Sequence, residues 1–131
     1  MTTGASGRLA GIKILLVDDD LLSIKLIIAA LDGEGSFIQS ASNAADALTL
    51  LRADAPRLVV LDLALPDMSG LELAKLIRST PGCRDTVILA VSSRNGRETE
   101  REALNAGCAA FLRKPIDALS LAEVLVGLLH D

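Results

Sequence analysis

The segment ILLVDDD, residues 14–20, runs four apolar residues directly into three acids. A short unbroken apolar run bounded by polar residues reads as a strand covered on both faces, as in a parallel sheet. The acids then stand just past the end of that strand. The pattern recurs along the chain. Asp62 closes the run 58–61, Ser92 follows 87–91, and Lys114 with Pro115 follows 109–112. Open α/β sheets bind ligands outside the carboxyl ends of their strands. Asp18, Asp19, Asp62, Ser92 and Lys114 are therefore expected to form one site at one edge.

Working outward, the runs 12–17, 37–41, 58–61, 87–91 and 109–112 read as strands. Helical patterns lie between and after them, at about 20–32, 44–53, 70–79, 98–106 and 119–129. The punctuation agrees: Asn43 and Asp117 suit helix N-caps, and Gly107 suits the position just past a helix end. Strand–helix alternation of this kind predicts an α/β fold, (βα)5 and doubly wound, with helices on both faces of a parallel sheet. Right-handed crossovers leave few topologies. Residues 1–8 read as a flexible leader and 9–131 as one domain.

At 131 residues the chain is long enough to bury a full core. Half of it is hydrophobic, yet Phe37 and Phe111 are its only aromatics, so aliphatic side chains must fill that core. A net charge of −4 with no basic run argues against direct nucleic-acid binding. The longest strongly apolar stretch, 21–31, is interrupted by Ser23 and Lys25 and is too short to cross a bilayer. Residues 1–7 lack the apolar region of a signal peptide. Cys83 and Cys108 have no metal-ligand spacing and read as reduced thiols of a cytoplasmic protein.

Carboxylates that converge at one sheet edge repel one another unless a cation joins them. Hard oxygen donors in small number suit Mg²⁺, which keeps several waters and bridges carboxylate to phosphoryl oxygen. Taken singly, each residue also has an ordinary surface reading. Asp18, Asp19 and Asp20 suit a solvated turn and helix cap, Ser92 a loop hydroxyl, and Lys114 a surface lysine before a turn proline. Their common placement at strand ends is what favours a site.

The segments ILLVDDD (14–20), VVLDLALPDMSGLEL (59–73), VSS (91–93) and FLRKPID (111–117) resemble the receiver domain of two-component response regulators. The resemblance covers about residues 10–130. It implies a flavodoxin-like sheet of order 2-1-3-4-5. It implies that Asp62 is the phospho-acceptor and that Asp19, Asp62 and the main-chain carbonyl of Ala64 ligate Mg²⁺, with Asp18 acting through water. Ser92 matches the switch hydroxyl, Phe111 the aromatic switch position, and Lys114 the lysine that pairs with a phosphoryl oxygen. The bond from Lys114 to Pro115 is expected to be cis. The expected phosphodonor is a histidine kinase or histidine phosphotransfer protein, and the chain is an acceptor rather than an enzyme acting on others. The expected output is a downstream protein or a missing effector domain, and a homodimer is compatible with the resemblance.

Two positions depart from the usual pattern. Ala64, two residues past Asp62, cannot orient an attacking water, which implies slow to moderate self-dephosphorylation, and Arg94 could shield or contact the phosphate. The first helix is apolar almost all round. With Leu26, Ile27, Ala30 and Leu31 assigned to the core, Ile24 and Ile28 fall on another face, either as an exposed docking pair or as side chains covered by a neighbouring loop. The polar stretch 94–105 reads as a solvated helix, or as an output face together with Arg113 and the last helix.

Rival functions fit less well. A haloacid-dehalogenase-like phosphatase would want an acid where Ala64 stands. An FMN carrier would want a phosphate-binding loop where the three acids stand. A pseudo-receiver that works without phosphorylation would usually have lost an acid or Lys114, and all are present here.

Overall fold

The computed structural model describes residues 7–93 and 97–130. Five parallel strands, β1 (Lys13–Val17), β2 (Phe37–Ala41), β3 (Leu58–Asp62), β4 (Val87–Ser92) and β5 (Ala110–Arg113), lie in the order β2-β1-β3-β4-β5. The helices are α1 (Leu21–Ala30), α2 (Ala44–Ala53), α3 (Gly70–Ser79), α4 (Arg97–Asn105) and α5 (Ala118–Leu129). The expected α/β class, strand order and two-sided helical cover are all present.

Alternation along the central strands explains why they are apolar throughout. Leu15 and Val17 of β1 join Val59, Leu61, Ile88 and Ala90 in a core closed by α2, α3 and α4. Ile14 and Leu16 point the other way, with Leu58, Val60, Leu89 and Val91, into a core closed by α1 and α5. Successive strand side chains take opposite faces, so each central strand needs an apolar residue at every position. Leu9, just before β1, is fully buried in the α1–α5 core.

Helix starts are set locally. Asp20, Asn43, Ser69 and Asp117 are the N-caps of α1, α2, α3 and α5, each accepting a backbone N–H of the first turn. Gly107 follows α4 at φ +104° and has the side chain of Arg78 packed against it, as a left-handed position past a helix end requires.

One expectation about α1 is corrected. Its core stripe is Ile24, Ile27 and Leu31, at 6%, 3% and 2% exposure, so Ile24 cannot belong to an exposed docking pair. Leu26, expected inside, is 55% exposed, and Ile28 is outside as expected. The physical reason lies in the spacing: positions 24, 27 and 31 follow the i, i+3, i+7 line of one helix face. Leu21, Leu22, Leu26 and Ile28 are left toward solvent.

Candidate functional site

The sheet ladder runs on past the strands and aligns the site. Asp18 N–H donates to the carbonyl of Ala41 at 3.0 Å, Leu63 N–H to Val91 at 3.0 Å, and Lys114 N–H to Ser92 at 2.8 Å. Asp18, Asp62, Ser92 and Lys114 therefore reach the same edge from β1, β3, β4 and β5. Asp18, Asp62 and Ser92 are buried there, at 5%, 7% and 2% exposure, while Asp19 is exposed.

Carboxylate oxygens of Asp18, Asp19 and Asp62 all lie within 4.8 Å of one another. Lys114 Nζ spans two of the acids, donating to Asp18 Oδ2 at 2.8 Å and to Asp62 Oδ2 at 3.3 Å. The other oxygens of this pair are held by backbone. Asp18 Oδ1 accepts from Asp20 N–H at 2.9 Å and Asp62 Oδ1 from Ala64 N–H at 3.0 Å. A carboxylate oxygen has a second lone pair, so these bonds orient the acids without exhausting them. The donor set is all oxygen, negative and crowded, which fits a hard cation such as Mg²⁺.

The electrostatics follow from this crowding. Burial raises the Asp62 carboxyl above the usual range, and the neighbouring Asp18 adds to the effect; the Ala64 N–H and the Lys114 charge oppose it. Burial also works against the charge on Lys114. The Asp18 hydrogen bond and the charges of Asp62 and Asp18 outweigh that, so its ammonium is held more firmly than an ordinary lysine's.

The third acid of the run has a different job. Asp20 caps α1 through Leu22 N–H at 3.0 Å and accepts from Ser23 Oγ at 3.0 Å. The Ser23 hydroxyl and then the Leu22 amide keep its carboxyl below the usual range. The surface reading of the acidic run thus holds for Asp20, while Asp18 and Asp19 turn to the site.

The peptide bond from Lys114 to Pro115 is cis, as expected. Phe111 on β5 is half-buried against the α2–α3–α4 core, with Ala90 as its register partner. Ala64 is exposed beside Asp62, and Arg94 lies outside the described residues. Next to Lys114, a hollow of about 380 Å³ is lined by Leu22, Leu26, Lys114, Pro115, Ile116 and others between α1 and α5. Cys83 and Cys108 are buried free thiols away from the site, and burial pushes Cys108 up to about 11.

Asp67 was missed in the sequence. It sits on the loop between β3 and α3, and its two oxygens accept the N–H groups of Ala44 (2.9 Å) and Ala45 (3.0 Å) at the start of α2. Those amides hold its carboxyl below the usual range. The partners are 23 and 22 residues away, so no local pattern signals the contact.

No helix among the described residues is long and apolar enough to cross a membrane. An uncharacterised 14.6 kDa protein of the sodA1 3′ region of Leptolyngbya boryana is 36% identical over 117 residues, covering 89% of each chain. The polar-differentiation response regulator DivK of Brucella anthropi is 29% identical over 119 residues, 91% of this chain and 97% of that one. Among solved structures, the BeF3-activated DrrB receiver domain superposes with a TM-score of 0.84 at 26% identity, covering 92% of this chain and 99% of that one. The model of the response regulator receiver domain matches residues 14–126. With the acids, hydroxyl and lysine gathered at the strand ends of a 2-1-3-4-5 sheet, the chain belongs to the response regulator receiver domain family of two-component signalling.

Proposed function

We propose that Asp62 accepts a phosphoryl group from a phosphohistidine on a histidine kinase or phosphotransfer protein, and that the modified domain signals by protein contact. The observation that carries this reading is the cluster itself. Three carboxylates lie within 4.8 Å of one another, with Lys114 bridging Asp18 and Asp62.

The chemistry follows from these residues. A carboxylate oxygen of Asp62 attacks phosphorus in line, and the phosphorus–nitrogen bond breaks to release the imidazole. The Ala64 N–H fixes the direction of the Asp62 carboxylate. Lys114 Nζ moves its bonds from carboxylate to a phosphoryl oxygen, and the Ser92 hydroxyl donates to another. Asp19, Asp62 and the Ala64 carbonyl would hold Mg²⁺, with Asp18 acting through water; when bound, the ion neutralises charge on the phosphoryl oxygens. The new charge at Asp62 then favours one of two existing arrangements of Ser92 and Phe111, a population shift rather than a new fold. On this reading the domain promotes its own phosphorylation and slow hydrolysis, and it is not an enzyme acting on other substrates.

The partner surface we propose differs from the pair Ile24 and Ile28, since Ile24 is buried. In place of Ile24, exposed Leu22 and Leu26 line the hollow beside Lys114, with Ile28 further along α1. An apolar face next to the acceptor suits a phosphodonor that presents an apolar helix face. Leu26→Lys should slow transfer from that donor without slowing phosphorylation by acetyl phosphate; an equal loss with both donors overturns the docking assignment.

The function is tested by incubating the chain with acetyl phosphate in Mg²⁺ or in EDTA, with phosphate-affinity electrophoresis as the readout. A retarded band that needs Mg²⁺ supports the acceptor reading. No retarded band in either condition favours the pseudo-receiver alternative.

A further inference from the structure

The loop that follows Asp62 is closed twice. Ala64 and Ser69 form an antiparallel bridge across it, and Gly70 N–H donates to the Leu63 carbonyl at 2.9 Å. Gly70 is needed for that closure, since a Cβ there would lie 2.5 Å from the Asp62 carbonyl oxygen. Closure makes residues 63–70 a compact unit in which Ala64 faces Asp62 through its N–H. At the outer end of this unit stands Asp67, holding both first-turn amides of α2. That helix is anchored in turn by Ala44, Ala47 and Leu51 in the core.

Asp67 is exposed. Its two bonds nevertheless join the outer part of the unit to the start of α2. If the strap is cut, residues 65–68 are held only through the Ala64–Ser69 bridge and the Gly70–Leu63 bond, so any loosening of that closure is felt at Ala64 and at its bond to Asp62.

We infer that Asp67 is a positioning residue, a strap that sets the Ala64 main chain for the acceptor and its metal. The inference rests on the proposed function, because it assigns a cause to the cation affinity of that same site. Groups that orient metal ligands from outside commonly change affinity by roughly tenfold or more.

A comparison inside the same helix cap separates positioning from plain stability. Asn43 caps α2 by accepting from Asp46 N–H at 2.7 Å, so Asn43→Ala weakens the same helix end but leaves the Asp67 bonds in place. Asp67→Ala removes both bonds, and Asp67→Asn keeps one acceptor oxygen. The test is isothermal titration calorimetry with MgCl2 on the unphosphorylated full chain, beside thermal melts in EDTA. The strap predicts Mg²⁺ binding roughly tenfold weaker in Asp67→Ala, an intermediate value in Asp67→Asn, and wild-type affinity in Asn43→Ala despite a comparable drop in Tm. Wild-type affinity in Asp67→Ala, or equal weakening in Asn43→Ala, overturns the strap and leaves the acceptor reading intact. A wild-type chain that binds no Mg²⁺ overturns both.

Discussion

Two lysine–aspartate pairs of nearly equal length sit at opposite ends of the sheet. At the N-terminal end of β1, Lys13 meets Asp54 at 2.7 Å with both side chains more than half exposed. At the C-terminal edge, Lys114 meets Asp18 at 2.8 Å and Asp62 at 3.3 Å with side-chain exposures of 19%, 6% and 8%. Distance does not distinguish these pairs. Burial does, and so does the second acid. Water screens the first pair to almost nothing. The second is a desolvated lysine between two carboxylates, where removing the lysine leaves two buried acids without their counter-charge.

Four outcomes would break or sharpen that contrast, the largest first. If the acid cluster holds Mg²⁺, the ion at a hundredfold excess over its dissociation constant should stabilise the fold by about 2.7 kcal/mol. Thermal melts in MgCl2 and in EDTA check this, and Asp62→Asn should remove most of the gain. Next, Lys114→Met should cost about 2 kcal/mol in chemical denaturation without metal. That is somewhat under the ~3–5 kcal/mol of a fully buried broken pair, because Lys114 keeps partial exposure.

The third outcome concerns pH. Burial raises Asp62 above its ordinary range, so the folded state prefers the protonated acid. That preference is fully present below about pH 4, the unfolded value, and it is lost as pH rises through the folded one. Asp62→Asn should therefore stabilise the metal-free chain at pH 7, and by less than Lys114→Met destabilises it. The gain should shrink towards pH 4 in melts across that range. The smallest effect belongs to the other end of the sheet. Asp54→Asn should change stability by less than about 0.5 kcal/mol, and a larger loss would show that exposure is not what separates the two pairs.

The contrast also marks what could be read from the residues alone. The central strands were legible because two-sided burial leaves an unbroken apolar run with a polar residue at each end, as in 14–20. Asp18, Asp62 and Ser92 were legible for the same reason, since each ends or directly follows such a run, while Lys114 stands one residue further on, past Arg113. The face of α1 was not. Leu21, Leu22, Ile24, Leu26, Ile27 and Ile28 are apolar in nearly every direction, so periodicity carries no phase, and Ile24 fell on the wrong side. The distinct work of Asp20 is visible only once its carboxylate is seen on Leu22 N–H and Ser23 Oγ. Asp67 was hidden because its partners lie at the start of α2, more than twenty residues away.

The central claim is that Asp62 carries the phosphoryl group. The most direct test treats the chain with acetyl phosphate and Mg²⁺, reduces any acyl phosphate with borohydride, and maps the product by peptide mass spectrometry. Conversion to homoserine at position 62, absent in Asp62→Asn and in EDTA, is the result this account predicts. Conversion at Asp18 or Asp19 instead, or no conversion with Mg²⁺ present, would contradict it.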